Sequence, residues 1–188
     1  LSLNLAASET LDSRITFTRA SSALRTNASG VLESVAINVP RIDYDPITHA
    51  CKGLLIEEAR TNLVKNSNAF DNATWTKTRS SVTADSTTSP EGLTNADKLV
   101  EDVSNNSHST SLASSSYAAF TSGTSYTFSA YVKAAERRGI RLAFNSLAFP
   151  SNIYAQFNLV TGLVTIKSAE ITAASVDVGG GWWRLSIT

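Results

Sequence analysis

The 188 residues carry sixteen basic and sixteen acidic side chains, with 42% hydrophobic and 17% charged content, which is the balance of a folding chain and not of a disordered one. Charge neutrality removes the basic field that gathers nucleic acid or an anionic membrane surface, and no apolar run nears the roughly 18–20 residues of a spanning helix. A single cysteine, Cys51, rules out an intrachain disulfide framework and a cysteine-rich zinc site.

No basic, apolar, small-residue series marks a signal peptide. The chain opens at Leu1, holds no methionine and closes on "GWWRLSIT", a strand still alternating at its last residue. These features lead us to expect a piece of a longer polypeptide.

Taken in chain order, "SSALRTNASGVLES" predicts a hairpin with its turn at Asn27 to Gly30, and "NVPRIDYDP" an extended piece bounded by Pro40 and Pro46, since proline holds the preceding residue extended. Isolated ribbons of this kind bury too little surface to stand alone. Residues 1–65 are therefore expected to be a wrapping segment packed on the rest of the chain, on a neighbouring subunit or on a preceding portion. Glu57, Glu58 and Arg60, just after the apolar "LLI", predict a local ion-pair network at the junction.

From residue 66 the punctuation becomes regular. "ATWTKTRSSVTAD" and "ADKLVEDVSNNSHSTSLASSS" predict short strands, separated by a turn at Pro90 and Gly92. The serine-rich run 104–116 predicts a long loop with an edge strand. In "SYTFSAYVKA", Tyr126, Phe128, Ala130 and Val132 share one face, and Thr127, Ser129, Tyr131 and Lys133 the other. "RGIRLAFN" sets Ile140, Leu142 and Phe144 against Arg141, Ala143 and Asn145. "YAQFNLVTGLVTIKS" predicts two strands about a turn at Thr161 and Gly162. After "VGGG", Trp183, Leu185 and Ile187 alternate with Trp182, Arg184 and Ser186, in a register that one glycine can shift. Six or more strands near ten-residue spacing, with no helical period between them, predict an all-β fold. Its form is an antiparallel β-sandwich of jelly-roll type over 66–188, preceded by the N-terminal hairpin and extended segment.

The ordered series "FTRASSALRTNASGVLESVAINVPRIDYDP", "GLLIEEARTNLVKNS", "ATWTKT", "ADKLVED", "YTFSAYVKAAERR" and "VGGGWWRLSIT" runs from Phe17 to the end of the chain. It resembles a motif string of bacteriophage and prophage virion proteins: tail fibres, tail spikes and head spikes. The resemblance implies a virion-surface location, contacts with other virion proteins, a homotrimer, and a second part similar to the jelly-roll carbohydrate-binding modules attached to glycoside hydrolases. Related chains carry further strands after the "GWWR"-like segment, so the sandwich here is expected to be truncated at its C-terminus. Sandwiches of this kind often hold calcium, yet no EF-hand loop is present and no cofactor is assigned.

A glycan site needs aromatic faces for sugar C–H groups beside side chains that bond hydroxyls. Tyr131 and Arg141 fall on non-core faces; Tyr154, Gln156, Trp182 and Arg184 extend that surface in the drawn register, and Trp75 is placed at the rim. Tryptophans of sandwiches more often belong to the core, which weighs against each indole. The carboxylates Asp43, Asp45, Glu57, Glu58, Glu101 and Asp102 lie adjacent or two apart, a spacing that solvated charge explains as well as the paired acids of a glycosidase. His49 and His108 have no partner at metal spacing, and "GxSxG", "HExxH" and a phosphate-cradling glycine loop are absent. Three readings stay open: a non-catalytic module binding bacterial surface polysaccharide in host recognition, a structural module of the virion, and a depolymerase fragment.

Overall fold

The computed structural model describes residues 8–112, 120–144, 149 and 153–188. Asn145 and the end of the serine-rich run, from 113, lie outside the described residues. Among these the protein is all-β and antiparallel, built from several small sheets. Two compact units form: residues up to Ile56 join those from Thr121 onward, and Glu57–Phe120 make the other. This differs from a boundary at 65/66. The ribbons of the first fifty-odd residues cluster with the C-terminal strands, the first of the three packing solutions open to them.

In the first unit, β1 (Ala23–Thr26) and β2 (Leu32–Val35) form the expected hairpin. Asn27 makes its turn: Oδ1 accepts from Ser29 N at 2.9 Å and Val31 N at 3.1 Å, an Asx turn that mimics backbone. A second hairpin joins β3 (Ile42–Tyr44) to β4 (Cys51–Leu54), with a register shift between Asp43 and Tyr44. The two are tied by polar links. Asp43 accepts from Thr26 N at 2.8 Å, Arg25 donates to Ile42 O at 3.1 Å, and buried Arg41 donates to Leu24 O at 2.9 Å. Their turns also meet, because a β-carbon on Gly30 (φ +77°) would lie 2.6 Å from Pro46 O.

The second unit holds β5 (Trp75–Thr78), β6 (Ser80–Thr88), β7 (Thr94–Glu101) and β8 (Ser109–Leu112), paired β5 with β8 and β6 with β7. The chain breaks between β5 and β6 at Arg79 (φ 51°), and the expected turn before β7 closes through Ser89 N donating to Leu93 O at 2.8 Å. Trp75 is buried, its ring centroid 4.6 Å from that of Phe70 and its Nε1 donating to Asn66 O at 2.9 Å. That corrects the rim position read from the sequence: an indole whose one donor is satisfied inside the unit serves as core. Arg60 and Glu58 pair at 2.6 Å, both well exposed, so the pair is a solvated one that holds little.

Back in the first unit, the chain forms β9 (Phe128–Lys133), β10 (Gly139–Phe144), β11 (Ile153–Asn158), β12 (Val164–Lys167), β13 (Ala173–Asp177) and β14 (Trp182–Ile187). They make two three-stranded sheets, β10-β11-β12 and β13-β14-β9. Alternation explains what each buries. Trp183, Leu185 and Ile187 sit opposite Val132, Ala130 and Phe128, while Ile140, Leu142 and Phe144 sit opposite Phe157, Ala155 and Ile153. One hydrophobic cluster takes inward side chains from both sheets, with Phe157, Leu185 and Ile187 fully buried; each such side chain contributes about 1.5–3 kcal/mol.

The β11–β12 turn is pinned from the opposite sheet. Trp183 Nε1 donates to Leu159 O at 2.9 Å, and Ser175 Oγ donates to Gly162 O. Gly162 itself (φ +71°) lies so close beneath the Trp183 ring that a β-carbon would overlap it. The expected turn at Thr161 and Gly162 therefore needs glycine for two reasons, the left-handed backbone and the indole above it.

Candidate functional site

Both C-terminal sheets send side chains of one parity into a common core, and the candidate residues of each sheet fall on the other parity. The register divides the candidate residues accordingly. On β13-β14-β9, Arg184 lies opposite Tyr131, and Trp182 opposite Lys133. On β10-β11-β12, Arg141 lies opposite Gln156, and Tyr154 opposite Ala143. Tyr131, Trp182 and Arg184 thus form one group, and Arg141, Tyr154 and Gln156 another. The single continuous surface drawn from the sequence is corrected to two, since β9 and β10 are consecutive in the chain but enter different sheets. Trp75 belongs to neither, being a core residue of the other unit.

Arg141 and Gln156 of the second group line an open cleft of about 480 Å³, together with Arg138, Gly139, Ile140, Phe157, Asn158 and Thr165; Tyr154 is not among its lining residues. That volume falls within the roughly 300–1,000 Å³ of small-ligand sites. The Arg141 guanidinium carbon stands 4.2 Å from the centroid of the Tyr154 ring, a cation–π contact between two side chains of the same sheet. Asn158 Oδ1 accepts from Val160 N at 2.9 Å and Thr161 N at 3.3 Å, fixing the side chain at the turn. Gln156 is half-buried, and the structure gives its side-chain amide no protein partner among the described residues.

Thr165 enters the cleft through an irregularity. Gln156 pairs with Ile166, and the next residue, Phe157, with Val164. Thr165 is the extra residue of a β-bulge, and bulges re-aim side chains while sharpening the local bend. Its Oγ1 donates to Gln156 O at 3.3 Å. The sequence reading missed Arg138, Asn158 and Thr165. Asn158 continues the Tyr154–Gln156 alternation and was open to detection by parity; Arg138 precedes its strand, and a bulge obeys no parity.

The carboxylates raised as candidate acids are held in local structure elsewhere. Asp43 accepts from Thr26 N. The Asp45 carboxyl is held far below the usual carboxylate range by the amides of Thr48 and Ile47 and by Lys52, whose Nζ is 3.2 Å away. Asp102 is lowered by the Ser104 hydroxyl and amide, then by His108. His108 bridges it to Glu101, with ring nitrogens 3.0 Å from Asp102 Oδ1 and 3.5 Å from Glu101 Oε2. A carboxyl with a lowered pKa is a weak proton donor near neutrality, the reverse of what a glycosidase acid requires. Among the described residues no three His, Cys, Asp or Glu side chains converge as a metal site would require. No family model matches the chain, and no curated protein matches it.

Proposed function

We propose that this chain is a non-catalytic module of a bacteriophage or prophage spike or fibre that binds bacterial surface polysaccharide in host recognition. Its C-terminal half is read as a jelly-roll-like sandwich whose two layers are β10-β11-β12 and β13-β14-β9. The observation that carries the reading is the cleft lined by Arg141, Gln156, Asn158 and Thr165, with the Tyr154 ring against the Arg141 guanidinium. Such a set offers amide and hydroxyl groups to sugar hydroxyls and a charged plane to stack on. The motif string running from Phe17 to the C-terminus supports the virion assignment. Several copies in a homotrimer raise the avidity of a shallow, weak site.

A glycan array with host capsule and lipopolysaccharide fractions tests it. Binding by the wild-type chain that is lost in Arg141→Ala,Tyr154→Ala and kept in Tyr131→Ala,Trp182→Ala is the expected result. No binding by a folded, assembled oligomer sinks the reading.

A structural role in the virion is the second reading, and one feature favours it. The outer face of β13-β14-β9 exposes Val176 and Tyr131 on either side of Arg184, a mixed apolar and charged row suited to contact with a neighbouring subunit. Val176→Glu that leaves the oligomer intact in sedimentation speaks against that contact.

A further inference from the structure

The charge inside the cleft departs from that of the chain as a whole. Sixteen cations balance sixteen anions overall, yet the lining has two arginines, Arg138 and Arg141, and no carboxylate. Elsewhere in the same unit arginines are neutralised at contact distance, Arg14 by Asp12 at 2.6 Å and Arg25 by Glu33 at 2.6 Å. Among the described residues neither Arg138 nor Arg141 has a carboxylate partner. Both are nonetheless positioned. The Arg138 carbonyl accepts from Leu159 N at 2.7 Å, which fixes its backbone at the cleft edge, and the Arg141 guanidinium carbon stands 4.2 Å from the centroid of the Tyr154 ring. A guanidinium held over a ring by cation–π attraction still carries several N–H donors for a planar two-oxygen acceptor such as a carboxylate.

We infer that the cleft selects an acidic polysaccharide, with the carboxylate of a uronic-acid-type sugar paired to Arg138 and Arg141 and the neighbouring hydroxyls bonded by Gln156, Asn158 and Thr165. This rests on the glycan-binding reading and adds the chemical class of the ligand. Asn and Gln supply both donor and acceptor atoms, which hydroxyls need, whereas the arginines donate only; the two kinds of side chain therefore address two kinds of sugar substituent.

The test titrates the full chain against polygalacturonate, alginate and hyaluronan, each beside its carboxyl-reduced form, which keeps the sugar backbone and removes the charge. The expected result is that at least one native polymer binds about tenfold or more tightly than its reduced form, in line with a charge-assisted pair. The preference should shrink as salt screens it and vanish in Arg138→Gln,Arg141→Gln, while Arg184→Gln, on the opposite sheet, retains it. Thermal unfolding confirms that each variant is folded. Equal binding of native and reduced polymers, or a preference that survives the double substitution, overturns the acidic ligand and leaves glycan binding standing. Binding to none of the six polymers overturns the inference, and the array then decides the glycan reading separately.

Discussion

The outer faces of the two C-terminal sheets hold similar side chains and differ in shape. One has Tyr131, Trp182 and Arg184; the other has Tyr154, Gln156 and Arg141. On the second, Arg141 contacts the Tyr154 ring and lines a cleft, and the bulge at Thr165 adds a hydroxyl to its lining. On the first, the cross-strand register runs without a shift through β14 and β9. An aromatic residue and an arginine on one sheet face are therefore insufficient to make a site. The irregularity of the strands beside them decides whether a ligand meets a surface or a recess.

The largest expected effect abolishes the comparison by removing the frame of both faces. Gly162→Val places a branched side chain at φ +71° beneath the Trp183 ring. The left-handed backbone alone costs about 1–2 kcal/mol, and overpacking against the indole adds about 1–3. Urea unfolding should show a midpoint lowered to match, with no change in slope. Trp183→Phe relieves the crowding but loses the bond to Leu159 O, and is expected to cost about 1 kcal/mol.

The next effect sharpens the contrast between the faces. Tyr154→Ala removes the ring on which Arg141 rests, and its glycan affinity is expected to fall about tenfold, whereas Tyr131→Ala on the opposite face stays within about twofold. Equal losses from the two substitutions would show that the cleft is not where the ligand binds. A smaller change, Thr165→Val, keeps the bulge and the side-chain volume but removes the hydroxyl; a loss of about two- to fivefold is expected. Isothermal titration of the same polysaccharide against all three variants orders them.

How far these features were legible depends on whether alternation governs them. The inward set Phe128, Val132, Leu142, Leu185 and Ile187 follows from period two alone, whereas the choice of Trp183 over Trp182 rests on a register that the preceding glycines can shift and that the pairing with β9 fixes. The hairpin turn at Asn27 and the turn at Gly162 follow from residue type. What alternation cannot supply is sheet membership. Tyr131 and Arg141 each point outward from consecutive strands, and only the pairing of β9 with β14 and of β10 with β11 reveals that they belong to different sheets. Trp75 was misplaced for a related reason: its burial depends on Phe70 and the carbonyl of Asn66, partners from an irregular segment with no period to read. The grouping of the N-terminal hairpins with the C-terminal sheets rests likewise on contacts far apart in sequence.

The smallest expected effect probes how one face is supported from outside its sheet. Asp45 holds the β3–β4 turn through the amides of Thr48 and Ile47 and through Lys52. That turn abuts the β13–β14 turn, since a β-carbon on Gly179 would lie 3.6 Å from Pro46 O and 3.8 Å from Ile47 Cδ1. The folded-state pKa of Asp45 is depressed below its ordinary 3.8, so the unfolded chain takes up the proton first as pH falls. The stabilisation is accordingly complete above that ordinary value and is lost as pH drops below it toward the folded value. Asp45→Asn should lower the melting temperature slightly at pH 6, and the gap from wild type should close as the pH falls through and below about 4; other carboxylates also titrate there, but the difference between the two proteins isolates this one. Polysaccharide binding at pH 6 should be the same in both, because the turn supports β13-β14-β9 and the cleft lies on the opposite sheet. A variant that binds more weakly at pH 6 would mean that the two faces are mechanically coupled through the core, and that the cleft depends on the N-terminal ribbons as well as on its own strands.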